Sequence, residues 1–401
     1  MSQQPTLQTY RTLIVLWITQ CFGQSAAPVV LLLGGIVGAA IAPSKNLSTL
    51  PVAMMIVGTA TAAMPAAWIM SRIGRKAGFM LGILVALAGA LLAAWSAGNG
   101  HFSWFCLAIF MMGTNAAFIQ QYRFAVAESV DMQLVPPALS VLMLAGIIAG
   151  VFGPEMAKQL SHVEGMPAFS AAFIGVAVLL CCSLASVTFY RNQAFQLEGG
   201  DGDARPLATI FAQPRLILAI TAAVVGWTMM SLVMTATPVS MHEIDHHSLD
   251  DTTWVVQSHI LAMYVPSFFS GFLVARFGAV RIIKAGILIM AGCIAAGYGR
   301  PELMHYWVAM VLLGIGWNFL FLGGTTLLTL TYRSAERFRV QGLNDFVVFV
   351  MQAFASLGSG VLLASVGWNG VVLFCLPWLA GVILVLMLVS NRLEDSGEAH
   401  A

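Results

Sequence analysis

Two titratable side chains stand inside long apolar stretches of this chain: Glu155, directly after Gly153-Pro154, and His259, within the run Trp254 to Val265. A carboxyl or imidazole so placed can take up and release a proton as its surroundings dry and rehydrate, because burial disfavours the charged form. Charge inside hydrocarbon costs about 2.5–3.5 kcal/mol on insertion scales, so each such group is a candidate for function. Each also has a plainer reading. Lys158 lies at i+3 from Glu155 and would pair with it, and a lone His on an apolar helix is commonly a hydrogen-bonded packing residue. A third acid, Asp345, opens another apolar run, where a helix N-terminus favours negative charge.

Other chemistry finds little support. His242, His246 and His247 flank Glu243 and Asp245, but the spacing fits no standard metal site and reads better as an exposed polar loop. The six cysteines show no C-x-x-C pair and fall in apolar runs, as small packing residues do. H-E-x-x-H, G-x-S-x-G and G-x-x-x-x-G-K-[ST] are all absent. An enzyme is therefore not expected, and neither is a cofactor or resident metal. The formal net charge is +1, with no basic groove interleaved with aromatics, so nucleic acid is not an expected partner.

The elements that hold these residues follow from composition. Of 401 residues, 59% are apolar and 9% charged, against about 25% charged in a soluble domain. The chain is expected to be an all-α integral membrane protein in the lipid bilayer, with each crossing helix about 20 residues long. Apolar runs predict helices at 13–40, 48–70, 77–96, 102–122, 137–157 and 168–190, then at 215–240, 253–275, 281–298, 304–330, 342–364 and 370–391. The run from Leu13 is too long for a signal-peptide core, so the first helix is expected to stay in the mature protein. The polar, Gly-rich stretch 191–214 reads as a linker between two six-helix bundles, residues 1–190 and 215–391, with a tail at 392–401. All Lys and Arg except Lys45, Lys158 and Arg300 fall on one side of this topology, which predicts both termini in the cytoplasm.

The halves look like copies. Ala67 to Lys76 (AWIMSRIGRK) aligns with Gly271 to Val280 (GFLVARFGAV), about 204 residues on, and Gly113-Thr114-Asn115 with Gly316-Trp317-Asn318. The loop after the second helix resembles the signature loop of the major facilitator superfamily: Arg72, Gly74, Arg75 and Lys76 fit it, while Ala67 and Ser71 replace its first Gly and its Asp. The second copy keeps Gly271, Arg276 and Gly278, has Arg281 at the basic position, and again lacks the acid at Ala275. The resemblance covers nearly the whole chain. It implies twelve transmembrane helices in two pseudo-symmetric six-helix bundles in a bacterial inner membrane. A weaker likeness, of Gly146, Gly150 and Gly153-Pro154 to the Gly-rich motif of proton-coupled exporters, lacks that motif's closing Gly pair, and close helix packing explains it equally well.

The same resemblance implies an inner gate at Arg72, Gly74, Arg75, Lys76, Arg123, Glu128, Arg276, Arg281 and Asp345. Asp345 is expected to pair with Arg72 or Arg75, standing in for the acid missing at Ser71, unless it is simply a solvated helix cap. Pseudo-symmetry sets Glu128 against Arg276 or Arg281, unless it snorkels at the interface. In this superfamily helices one, four, seven and ten line the central cavity, which makes Gln20, Gln24, Asn115, Gln120, Gln121, Trp227, Thr228, Trp317 and Asn318 candidate substrate contacts. Asn115 and Asn318 lead, although a helix-to-helix hydrogen bond explains them nearly as well. Amides and aromatics with little full charge suit an uncharged or weakly anionic organic solute, including one with a flat ring. The expectation is a monomeric secondary transporter of a small molecule by alternating access. It would be coupled to protons through Glu155, His259 or Asp345, with a lean toward export. The alternatives are an importer of a vitamin-like or other aromatic nutrient, and a facilitator without ion coupling.

Overall fold

A segment that crosses hydrocarbon must satisfy every backbone N–H and C=O within itself, and the apolar runs do so as α-helices. The computed structural model describes residues 7–43, 47, 50–160, 163–191, 205–299 and 302–395, and the described residues contain no β-strand. The first ten helical stretches long and apolar enough to cross a bilayer are α1 Tyr10–Leu31, α2 Leu50–Ile73, α3 Arg75–Gly98, α4 Phe102–Ala127, α5 Met132–Gln159, α6 Ser170–Val187, α7 Pro214–Pro238, α8 Trp254–Phe277, α9 Ala279–Gly297 and α10 Leu303–Thr329. The eleventh, Ser334–Val389, has 56 residues, enough for two crossings at about 20 residues each. It carries α11 Arg337–Leu373 and α12 Leu376–Asp395, and helical geometry breaks at Gly367, with φ 68° and ψ −176°. Among the described residues twelve spanning helices result, close to the expected spans. Residues 192–204 of the expected linker, 396–401 of the tail, Lys45 and Arg300 lie outside the described residues.

By contact the chain forms two compact units, one of Met1–Met132, Leu142–Gln196 and Arg337–Phe349, the other of Gln133–Val141, Leu197–Glu336 and Val350–Ala401. A division at the linker alone would keep residues 133–141 with the first half and 337–349 with the second. In space, each of these helix ends belongs to the other unit.

In the first unit α2 and α4 cross backbone to backbone. A Cβ on Gly58 would stand 2.3 Å from the Phe110 carbonyl oxygen, and one on Gly113 would stand 2.1 Å from that of Met55. Only glycine allows that approach, and Thr59 Oγ1 closes it by donating to the Gly113 carbonyl at 2.9 Å. The start of α11, residues 337–349, reaches α2 of this unit through a second small pair, since a Cβ on Gly342 would lie 2.7 Å from the Ala67 Cβ.

In the second unit α10 is the interior helix, buried continuously from Gly316 to Leu328, as a helix apolar on all sides must be. Its glycines let neighbours close in: Gly314 against the His259 carbonyl of α8, and Gly324 against the Ala219 carbonyl of α7. Gly271 of α8 packs on Pro136 and Pro137 of α5, beside a Ser140–Ser270 hydroxyl contact of 3.4 Å. The repeat seen in sequence has a backbone counterpart. Gly74 (φ 82°, ψ 162°) and Gly278 (φ 85°, ψ 152°) share a conformation essentially restricted to glycine, each at the start of the helix after the signature stretch.

Candidate functional site

The Gly74 turn ends α2 and starts α3 with Arg75 facing inward, 5% exposed. A guanidinium that deep must be paired and hydrogen-bonded. Arg75 donates from Nε to Glu128 Oε2 at 3.1 Å and from Nη2 to Glu128 Oε1 at 2.6 Å. It also donates to Gln341 Oε1 at 3.0 Å and to Gln121 Oε1 at 3.4 Å. Gln341 Nε2 reaches Glu128 Oε1 at 3.0 Å, and Arg337 Nη1 lies 3.5 Å from Glu128 Oε2. A second ion pair, Arg123–Asp345, sits beside the first, and Asp345 is 1% exposed. Asn344 Nδ2 donates to Asp345 Oδ1 at 2.9 Å, and Gln121 Nε2 to Asp345 Oδ2 at 2.9 Å. Gln121 thereby accepts from one pair and donates to the other, so α3, α4 and the start of α11 share one polar network within the first unit.

This arrangement corrects two expected pairings. Asp345 takes Arg123 as its partner, where Arg72 or Arg75 was expected: Arg72 is on the far side of the Gly74 turn, exposed, with its guanidinium 5.7 Å from the Trp68 ring. Glu128 takes Arg75 and Arg337, where Arg276 or Arg281 was expected. Those two are exposed and serve their own helix junction: Arg276 lies over the Phe277 ring at 5.7 Å and Arg281 donates to the Phe277 carbonyl at 3.2 Å. Ser71, where the signature loop has an acid, bonds back to the Trp68 carbonyl at 2.6 Å. Lys76 donates to the Thr188 carbonyl, tying α3 to the end of α6. Gln121, expected among the substrate contacts, belongs to this network. Arg337, Gln341 and Asn344 were not singled out in sequence, although 337, 341 and 345 recur at helical spacing and mark one face.

The second unit holds a wall of rings. Trp317 of α10 meets Trp227 of α7 edge to face, with centroids 5.0 Å apart, and stacks on Phe321 at 4.9 Å with an 11° tilt. Tyr264 of α8 approaches the Trp317 ring at 6.0 Å, and Phe321 approaches Trp227 at 5.9 Å. Trp317 is 2% exposed, while Trp227 and Tyr264 are half-buried. Edge and face contacts of this kind favour a flat ring. Phe321 was readable as i+4 from Trp317; Tyr264 left no signal in sequence.

The remaining candidates divide by environment. Asn318 gives its amide to α8, donating to the Met263 carbonyl and to Ser267 Oγ, both at 2.8 Å, so it acts as a helix-to-helix bond. Its sequence mate Asn115 is also buried, and its Oδ1 has no hydrogen-bond partner. Gln20 Nε2 donates to Gln24 Oε1 at 2.9 Å, one turn along α1, and both side chains are half-buried, as is Gln120. Glu155 is exposed and accepts from Gln159 Nε2 at 2.9 Å. His259 is fully buried, with Nδ1 2.8 Å from the Met310 carbonyl, a placement that suits packing as much as proton transfer. In the loop between α7 and α8, Asp245 accepts from the Tyr306 hydroxyl at 2.6 Å.

At the end of the second unit that carries the basic loops, Arg205 clamps Glu336. Its Nε and Nη2 reach the two carboxylate oxygens at 2.7 and 2.6 Å, and its backbone N–H reaches Oε1 at 2.9 Å. Glu336 is 1% exposed, and the contact holds the Arg205 guanidinium above its usual proton affinity.

Comparison with known proteins identifies this arrangement. A family model described as Major Facilitator Superfamily matches residues 12–248 and 218–400. A riboflavin transporter (RfnT) of Brucella anthropi is 36% identical over 392 residues, 97% of each chain. Among solved structures, a bacterial homologue of the iron transporter ferroportin in an outward-facing state superposes with a TM-score of 0.75 at 14% identity, covering 96% of this chain and 100% of that one. FucP in the outward conformation gives 0.71 at 13% identity, covering 93% and 97%. This chain is thus a multi-pass membrane transporter of a small solute, not an enzyme, and it belongs to the Major Facilitator Superfamily.

Proposed function

We propose that this transporter carries riboflavin, or a flat heterocycle closely similar to it, into the cell. The observation that carries the reading is the ring wall of Trp227, Tyr264, Trp317 and Phe321, which offers faces and edges but no fixed charge. The likeness to a riboflavin transporter along 97% of both chains supports it and makes riboflavin the first solute to test. Export loses one of its supports, because Gly153 has a packing role: a Cβ there would stand 2.8 Å from the Ser25 carbonyl oxygen of α1. The test is riboflavin accumulation in proteoliposomes of fixed orientation. Accumulation in the inward direction supports the reading; retention of riboflavin by neither orientation refutes it.

The Arg75–Glu128 and Arg123–Asp345 network is the proposed cytoplasmic gate. It seats residues 337–349 against α3 and α4, so access from the cytoplasm requires these bonds to break. Asp345 is the proposed proton carrier, because protonation removes its charge and half of the bond that holds Arg123. Glu155 and His259 are less suited, the first being exposed and the second committed to the Met310 carbonyl. In vesicles, Asp345→Asn is expected to abolish accumulation driven by a pH gradient while exchange of riboflavin for riboflavin continues. Gradient-driven accumulation at the parental rate would exclude Asp345.

A further inference from the structure

Two other tryptophans of the second unit give their indole N–H a partner. Trp307 Nε1 donates to Ser258 Oγ at 3.0 Å and Trp368 Nε1 to the Gly297 carbonyl at 2.7 Å. Trp317 Nε1 is buried with no hydrogen-bond partner. Folded proteins rarely leave such a donor unmet, so each exception calls for a ligand, a water or a functional reason. The indole cannot turn to find one, because Phe321 covers its face and Trp227 and Tyr264 abut it. Its orientation is informative. Cδ1, the carbon beside Nε1, lies 3.8 Å from where a Gly226 Cβ would stand, so the polar edge faces α7 at a residue with no side chain.

We propose that Trp317 Nε1–H is the specificity contact of the ring wall. It donates a hydrogen bond to an in-plane carbonyl or ring nitrogen of the solute. The wall then selects heteroaromatic rings bearing such an acceptor over hydrocarbon rings of the same shape. This rests on the reading of the wall as the solute site, and it adds the feature of the ring that is read.

The test is binding to the purified full chain in detergent, followed by quenching of fluorescence, with riboflavin and with anthracene, a three-ring probe without a ring heteroatom. Trp317→Phe keeps an aromatic ring and removes the donor together with the five-membered ring that carries it, and the anthracene arm reads the loss of ring area by itself. It is expected to weaken riboflavin binding about 3- to 10-fold, the loss of one neutral hydrogen bond, with anthracene binding unchanged. Unchanged riboflavin affinity, or an equal loss for both probes, overturns the inference while leaving the solute reading intact. Failure of the wild-type chain to bind riboflavin overturns the solute reading and this inference with it. If W317F does not fold, Gly226→Ala carries the test: its methyl group would stand 3.8 Å from Trp317 Cδ1, against the edge that carries the donor, so it is expected to weaken riboflavin binding, and unaltered affinity overturns the proposal.

Discussion

Replacing Glu128 by Gln should release the start of α11 from its seat, and the structure sets the size of the effect. Glu128 is 12% and Arg75 5% exposed, and two N–H···O bonds of 3.1 and 2.6 Å join them. At an effective dielectric of about 20 and a separation of about 3 Å the attraction is about 5 kcal/mol, and breaking a buried pair by removing one partner costs about 3–5 kcal/mol. Gln keeps the shape of the side chain, and Gln341 and Gln121 remain as acceptors for Arg75, so the low end of that range, about 3 kcal/mol, applies. That corresponds to about a hundredfold shift in the equilibrium between seated and released states. Val340 is fully buried in this segment. In a background with the six native cysteines replaced, Val340→Cys should react with a soluble maleimide about a hundredfold faster once E128Q is added. Arg75→Gln should give a similar rise. Labelling within twofold of the parent in both variants would refute the idea that this ion pair holds residues 337–349.

Other outcomes follow from local geometry. Gly113→Ala places a methyl group 2.1 Å from the Met55 carbonyl oxygen and should cost about 1–3 kcal/mol through overpacking; Gly358→Ala, with nothing within 4 Å of the added carbon, should be neutral or slightly stabilising. Thermal unfolding in detergent compares the two. Gly74→Ala and Gly278→Ala should each lower the melting temperature, because a φ of 82° or 85° costs a side-chain-bearing residue about 1–3 kcal/mol. Glu336→Gln should loosen the Arg205 clamp and make the chain near residue 205 more sensitive to limited proteolysis, with an unchanged cleavage pattern counting against the clamp.

Much of the architecture was legible in the sequence because the bilayer permits so few solutions. Apolar runs of spanning length had to become helices, and the spacing of Gly74 and Gly278 within the repeated stretch anticipated a turn that occurs twice with one backbone conformation. The residues of the ion-pair network were also visible: Asp345 as an acid that opens an apolar run, and Arg75, Arg123 and Glu128 through the resemblance to the signature loop and the pseudo-symmetry of the halves. The partners were not. Sequence symmetry sets Glu128 against Arg276 or Arg281, but the Arg75 guanidinium turns inward while those two remain exposed at their own helix junction. Likewise, sequence matched Asn115 with Asn318 as equals, and only the packing of α10 on α8 shows that Asn318 has given both its N–H groups to another helix. Composition and periodicity fix which segments enter the membrane, since those depend on each residue's own transfer free energy. Which side chain meets which depends on helix rotation and on approaches of a few tenths of an ångström, set by glycines such as Gly58 and Gly113, and only the tertiary structure decides that.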